Sequence, residues 1–293
     1  MKYLIVDANN LGFRTLGTNT NSGTNINSGT IYWFLSSITD AVKALQIDRC
    51  IIAWDYGKSS WRSNQLETYK ESRREEHSEE SNVIFDQLMM LQKEVLPLLP
   101  VAQISKYNVE ADDIVYACVD YLTPEHECYI FSSDSDFWQL LDRATIWTGK
   151  KKYTAEDFVK KFKFPPSKYV EYKSMVGDYS DCIKGVRGVG EKTAQYILTN
   201  YGSTYDFLKS DDEKAKKLFT QEAVSIFYRN KVLIGLENFP DTKALSKLVA
   251  KELASAPFDL QHKELMHFFI ENQMVSMMSG WPMMRVTFER IKN

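Results

Sequence analysis

Three short apolar runs in the first half of the chain each lead into aspartate. Residues 3–6 run into Asp7, residues 50–54 into Asp55, and residues 128–131 into Asp134 and Asp136. Runs this short and apolar predict strands covered on both faces. Helical spacing occupies the gaps, over 31–45, over 83–96 with Leu88, Leu91 and Val95 on one face, and over 111–122. Alternation of this kind predicts an α/β fold with a mainly parallel sheet flanked by helices. A short strand at 145–147 and a Thr154/Asp157 capping box opening a further helix extend the pattern. After about Pro165 the strand signal fades. The expected division is an α/β domain over 1–165 and a helical subdomain over 166–293.

A sheet of that type binds ligands beyond the carboxyl ends of its strands, where these acids stand. Two more acidic groups accompany them: Glu110-Ala111-Asp112-Asp113 at a helix start, and Asp178 with Asp181 at the i, i+3 spacing of one helical face. Any one of these has an ordinary explanation, because aspartate caps helices and favours the positive end of the helix dipole. The whole set is harder to explain that way. Several carboxylates meeting at one edge would repel one another unless cations lay between them. All-oxygen donors suit Mg²⁺ or Mn²⁺ better than zinc. Two such ions, roughly 3.5–4 Å apart, would stabilise the attacking and leaving oxygens of phosphodiester hydrolysis.

Composition narrows the alternatives. A net charge of −3 over 293 residues means that a polyanionic partner would have to meet a local basic surface. Cys50, Cys118, Cys128 and Cys182 are far apart, which excludes a structural zinc motif and a disulfide framework and predicts a reduced, cytoplasmic protein. The N-terminal apolar run is too short for a signal peptide, and no run predicts a membrane span. His77, His126, His262 and His267 are too scattered to compete as a reaction centre.

Residues 57–82 form a charged excursion, read as an exposed, partly helical arch. Lys58, Arg62, Lys70, Arg73 and Arg74 alternate there with Glu71, Glu75, Glu76, Glu79 and Glu80. A solvated helix with surface ion pairs would look the same. Tyr56, Trp61 and Tyr69 favour a second reading, in which bases of a single strand stack while the cations meet phosphate. Lys150, Lys151, Lys152, Lys160, Lys161, Lys163 and Lys168 form a second basic run, either a solubilising surface or a duplex-binding stripe. The motif Gly185-Val186-Arg187-Gly188-Val189-Gly190-Glu191-Lys192-Thr193 leads into a helix whose free N–H groups suit phosphate. It reads as a helix–hairpin–helix element over about 176–200 that grips a DNA backbone without reading sequence. The methionine-rich stretch 273–284, with Trp281, reads as helical core packing.

Taken in order, these stretches resemble the 5′-nuclease (flap endonuclease) family. The matching segments are Val6-Asp7-Ala8-Asn9-Asn10, the tract from Asp55 to Arg62, Tyr69-Lys70-Glu71-Ser72-Arg73, Val109-Glu110-Ala111-Asp112-Asp113, Ser133-Asp134-Ser135-Asp136-Phe137, Gly177-Asp178-Tyr179-Ser180-Asp181 and the glycine hairpin. In size and layout the chain is similar to the family's free-standing phage members, including phage RNase H. The resemblance implies that Asp7, Asp55, Glu110, Asp112 and Asp134 surround one metal and that Asp136, Asp178 and Asp181 serve a second, with Asp113 unassigned between them. It implies that Lys70 and Arg73, at the base of the arch, steady the scissile phosphate. Tyr69 is implied to stack on a displaced base, Arg14 and Arg74 to contact nucleic acid, and the hairpin residues Gly185, Gly188, Gly190, Lys192 and Thr193 to contact the duplex, with K⁺ as a further cofactor there. Cys182 and Lys184 stand where the family commonly has asparagine and proline.

The expected activity is metal-dependent 5′–3′ hydrolysis of DNA bearing a 5′ flap, a nick or an RNA-primed end, by a monomer working beside replication proteins such as a single-strand binding protein. A catalytically silent junction-binding protein and an RNase of the PIN class are the competing readings. The intact acid set argues against the first, and the arch and hairpin argue against the second.

Overall fold

The computed structural model describes residues 1–16, 28–71 and 78–291. β1 (Lys2–Asp7) passes directly into α1 (Ala8–Phe13); α2 (Gly29–Leu45) leads to β2 (Arg49–Ala53). α3 (Ser60–Gln65) and α4 (Glu79–Met90) precede β3 (Ala102–Ile104), and α5 (Ala111–Leu122) precedes β4 (Glu127–Phe131). β5 (Ala144–Trp147) and β6 (Lys152–Tyr153) complete a six-stranded sheet in the order β3-β2-β1-β4-β5-β6. The first five strands are parallel and β6 is antiparallel to β5. β3 and β6 escape a reading of periodicity because three and two residues are too few to show a period.

Side-chain alternation divides the core in two. Leu4 and Val6 of β1 face a layer built on α2 and α4, while Tyr3 and Ile5 face a layer built on α5. Because β2 and β3 lie on one side of β1 and β4 and β5 on the other, the strand order reverses between β1 and β4. That reversal opens a crevice at the carboxyl ends of these two strands. Asp7 ends β1 there, and Asp134 lies three residues beyond β4. Gly12 lets α4 close on α1: a Cβ at that position would lie 2.5 Å from Leu88 Cδ2.

The remaining helices are α6 (Ala155–Phe162), α7 (Tyr169–Val176), α8 (Glu191–Tyr201), α9 (Thr204–Lys209), α10 (Glu213–Leu218), α11 (Gln221–Ile234), α12 (Thr242–Ser255), α13 (His262–Glu271) and α14 (Val275–Phe288). The capping box that opens α6 is present, Asp157 N–H donating to Thr154 Oγ1 at 3.4 Å and Thr154 N–H to Asp157 Oδ2 at 3.2 Å. α7, α8 and α11 pack together as a helical unit. The later helices do not stay with it. α12 lies along α5, and α14 covers α2, so Met277, Trp281 and Met284 join the core layer of Leu4 and Val6. The chain's end thus seals the sheet face that α2 alone leaves partly open. No helix among the described residues is long and apolar enough to cross a membrane.

Candidate metal centre

The acids are placed by the strand ends and by the helix starts next to them. Asp7 caps α1: its Oδ1 accepts the Asn10 N–H at 3.3 Å and its Oδ2 accepts the Ser132 hydroxyl at 2.9 Å. Asp55, two residues beyond β2, accepts the Ala111 N–H at 2.7 Å, which ties the start of α5 to the end of β2. Asp134 caps a single 3₁₀ turn by accepting the Asp136 N–H at 2.9 Å. Asp7, Asp55, Asp112 and Asp134 line one groove of about 700 Å³ together with Lys70. Asp136, Asp178 and Asp181 form a second group, each with a carboxylate oxygen within 4.8 Å of the others. Asp134 and Asp136 lie on the same turn, so one stretch of backbone feeds both groups.

Electrostatics show that these carboxylates lack sufficient positive charge of their own. Burial, then the neighbouring Asp55 and Asp134, pushes the Asp7 carboxyl up to about 7. Burial likewise lifts Asp136 to about 7; Lys173 opposes this, and Asp134, Asp178 and Asp181 add to it. Asp112 is raised well above the ordinary range by burial, with Asp134 and Asp7 contributing and Lys70 opposing. Asp136 Oδ1 is buried and makes no hydrogen bond, its nearest cation being Lys173 Nζ at 3.3 Å. An all-carboxylate donor set with raised protonation and an unbonded buried oxygen fits a hard divalent cation.

Lys173 was not singled out from the sequence. It projects from α7 to within 2.6 Å of Asp178 Oδ2 and supplies the second acid group with a built-in cation. Its ammonium is held charged against burial by Asp136 and Asp178. A lysine inside an otherwise ordinary helix carries no sequence signal of this role.

The base of the arch is a buried network rather than an exposed segment. Arg62, expected on a solvated face, is 2% exposed. Its guanidinium pairs with both oxygens of Asp113, at 2.8 and 2.7 Å, and with Glu110 Oε2 at 2.6 Å. Its Nε donates to the Leu233 carbonyl at the end of α11. Asp113 is therefore committed to Arg62, fully buried behind the groove, and is not presented to a metal there. Glu110 is shared between Arg62 and Lys70, whose Nζ lies 2.6 Å from Oε1. Burial would raise Glu110, but Lys70 and Arg62 outweigh it and hold this carboxyl below its ordinary range.

Tyr69 does not offer a stacking face. Its ring is buried against Ile183 and Leu233, and its hydroxyl lies 3.1 Å from Glu110 Oε2 and from Asp181 Oδ2. Burial keeps this phenol protonated, so it serves as a donor. Lys70 itself sits in the left-handed region at φ 52°, and its N–H donates to the Asp181 carbonyl at 3.1 Å. The base of the arch is thereby bound to the loop that carries the second acid group.

That loop is a hairpin and not the helical turn expected from the Asp178/Asp181 spacing. β7 (Gly177–Asp178) pairs antiparallel with β8 (Ile183–Lys184). Cys182 holds φ 58°, a conformation an asparagine adopts readily. Of the glycines expected to touch nucleic acid, Gly185 is packed backbone-to-backbone against the Met175 and Val176 carbonyls at the end of α7, where any side chain would clash. Its role is that of a close contact between segments. Gly188, Lys192 and Thr193 instead line a surface groove of about 440 Å³ with Lys214 and Lys217, and Gly190 is the N-cap of α8. Arg14 is spent internally, donating to the Thr148 carbonyl at 2.6 Å and lying over Trp33 and Phe131. Arg73 and Arg74 lie outside the described residues.

The raised carboxyls make a prediction about stability. Asp7 and Asp136 titrate near 7 when folded and near 3.8 when unfolded. Between those values the folded chain binds more protons, so stability falls as pH rises and the loss is complete above the folded value. Glu110 and Asp178 shift downwards, so their contribution is already complete above about pH 5. The metal-free protein is expected to melt higher at about pH 5.5 than at about pH 8, and Mn²⁺ to raise the melting temperature more at the higher pH. Equal Mn²⁺ increments at both would contradict this account of the site.

Comparison with known proteins agrees with this architecture. Residues 2–163 match the family model described as 5′-3′ exonuclease, N-terminal resolvase-like domain, and residues 164–265 match its C-terminal SAM fold. A 5′-3′ exonuclease of Mycoplasmopsis pulmonis is 32% identical over 225 residues, 74% of each chain. DNA polymerase I of Bacillus subtilis is 28% identical over 274 residues, which are 88% of this chain and 28% of the polymerase. Among solved structures, the bacteriophage T5 D15 protein co-crystallised with metal ions superposes with a TM-score of 0.70 at 23% identity, covering 87% of this chain and 99% of that one. The catalytic core of Rad2 in complex with DNA substrate superposes with a TM-score of 0.54 at 16% identity, over 97% and 92% of the two chains. With both domain models matched in order and a relative above 30% identity across most of its length, the chain belongs to the 5′-3′ exonuclease family.

Proposed function

We propose that this chain is a structure-specific 5′ nuclease that hydrolyses phosphodiester bonds at 5′ flaps, nicks or RNA-primed ends, with two Mg²⁺ or Mn²⁺ ions as cofactors. The observation that supports it best is the meeting of two carboxylate groups at the crevice between β1 and β4, with Lys70 at their border. Asp7, Asp55, Asp112 and Asp134 would hold one ion. Asp136, Asp178 and Asp181 would hold the other, displacing Lys173 from its present contacts. When bound, the ions would supply Lewis-acid charge and a water acidic enough to attack at neutral pH.

The chain's own residues do the rest. Glu110, anchored by Arg62, keeps Lys70 at the groove, and the Lys70 ammonium can turn from Glu110 to an oxygen of the scissile phosphate as negative charge develops there. Arg73 would add a second cation to the same phosphate. The hairpin groove of Gly188, Gly190, Lys192 and Thr193 would hold the duplex through its backbone, so affinity should fall with salt. K⁺ at this hairpin belongs to the same reading. Removal of primers or flaps during replication is the role such products would serve, a 5′-phosphate and a 3′-hydroxyl being what the next repair step needs.

The test is product mapping on a 5′-labelled flap and on an RNA-primed duplex, with Mg²⁺, with Mn²⁺ and with chelator. Short labelled products that appear only with metal and return when chelator is titrated out are expected. An intact flap and an intact primer in the presence of either metal would reject the proposal.

A further inference from the structure

The groove over the first acid group has a second wall with a different chemistry. Phe13 and Leu16 come from the end of α1 and the residues after it, and Asn82 and Phe85 come from α4; Asn9 and Asn10 stand at its floor. Phe85 is 53% exposed and Leu16 41%, although Ile84 and Leu88 beside Phe85 on the same helix are buried. The wall is fixed in place. Leu88, one turn along α4 from Phe85, is the residue that the missing Cβ of Gly12 admits, so α4 cannot slide without disturbing α1. Asn10 is oriented as well, its Oδ1 accepting from both the N–H and the hydroxyl of Ser133.

A phosphate needs cations or free N–H groups. Among the described residues that line the groove, Lys70 is the one cation, and it is bonded on the acid side to Glu110. The opposite wall therefore suits an uncharged group with an apolar face and polar edges. Tyr69, the aromatic residue suggested by resemblance, is buried and cannot supply such a face. A nucleobase has the required chemistry, but only once it has left the duplex stack, since a paired base shows neither face.

Resting on the nuclease reading above, we propose that this wall seats one unpaired nucleobase adjacent to the phosphate at the acid cluster, with the Phe85 ring stacked on it. The asparagine amides would meet the base edges, which makes the seat tolerant of sequence. Seating the base would draw the neighbouring phosphate onto the acids, so Phe85 acts on where the bond is cut as well as on how fast.

Two readouts test it. In cleavage, Phe85→Ala is expected to lower kcat/KM on a 5′ flap by about ten- to a hundredfold, the range for losing one base–aromatic stack. Phe85→Tyr is expected to stay near the wild type, and Phe85→Leu to fall between. On flaps made abasic at the two nucleotides flanking the scissile bond, wild type and Phe85→Ala should differ by no more than about twofold, because the stack is already absent. In binding with Ca²⁺, 2-aminopurine at the same nucleotides should change its fluorescence on wild-type protein and not on Phe85→Ala. An unchanged rate in Phe85→Ala, an equal loss on intact and abasic flaps, or a 2-aminopurine signal indifferent to the substitution would overturn the proposal. Absence of metal-dependent cleavage by the wild type would overturn the nuclease reading instead, and the binding readout would still decide the seat.

Discussion

Asp134→Asn is expected to reduce metal-dependent cleavage by at least about a thousandfold, equivalent to losing several kcal/mol of transition-state stabilisation from the metal site. The reason is its position. Asp134 lines the first acid group while its backbone turn carries Asp136 into the second. Asparagine keeps the 3₁₀ cap, because its side-chain oxygen can still accept the Asp136 N–H that Asp134 Oδ1 accepts at 2.9 Å. The fold and the hairpin groove should therefore persist, and flap affinity measured in Ca²⁺ should stay within about threefold of the wild type, since backbone contacts dominate such binding. Cleavage by this variant at the wild-type rate would remove Asp134 from the catalytic set. A matching loss of flap affinity would mean instead that the substitution disturbs the crevice.

Arg62→Ala is expected to be the most destabilising single change in the site. It would leave Asp113 without its bidentate partner, Glu110 without one of two cations, and the Leu233 carbonyl without its donor. Breaking one side of a buried ion pair costs about 3–5 kcal/mol, because the remaining charge is left desolvated. For a chain of this size that corresponds to a fall of roughly 10 °C in melting temperature. Arg62→Lys should recover part of the loss but not the forked pairing, so it should lie between. Double replacement, Arg62→Leu with Asp113→Leu, should be milder than Arg62→Ala alone, since no unpaired carboxylate remains at position 113. A melting temperature for Arg62→Ala within a degree or two of the wild type would show that the triad contributes little. The network also explains why the charged excursion does not behave as a simple surface. Its first part is fastened through Arg62 to α5 and α11, and through Lys70 and Tyr69 to the Asp178–Asp181 hairpin.

The sequence alone was enough to place the acids at one edge, because the determinants are local. A strand apolar on both faces must be covered on both sides, and an aspartate at its end then stands at the crevice, where it can cap the next helix or turn. Asp7, Asp55 and Asp134 were legible on those grounds, and the resemblance ordered them with Asp136, Asp178 and Asp181. What the sequence could not decide was which charges face the groove and which are consumed inside. Arg62, Asp113 and Tyr69 have the composition of functional residues, and only their long-range partners, some 50 to 170 positions away, commit them to one another. Lys173 gave no signal for the converse reason: its partners come from the 3₁₀ turn after β4 and from the β7 hairpin. The same holds for Phe85, whose exposure depends on how closely α4 approaches α1 at Gly12. Local patterning sets what each segment can become. Pairing of buried charge, and the shape left between packed helices, are settled only when distant segments meet, because a charge leaves water only where its partner is already present.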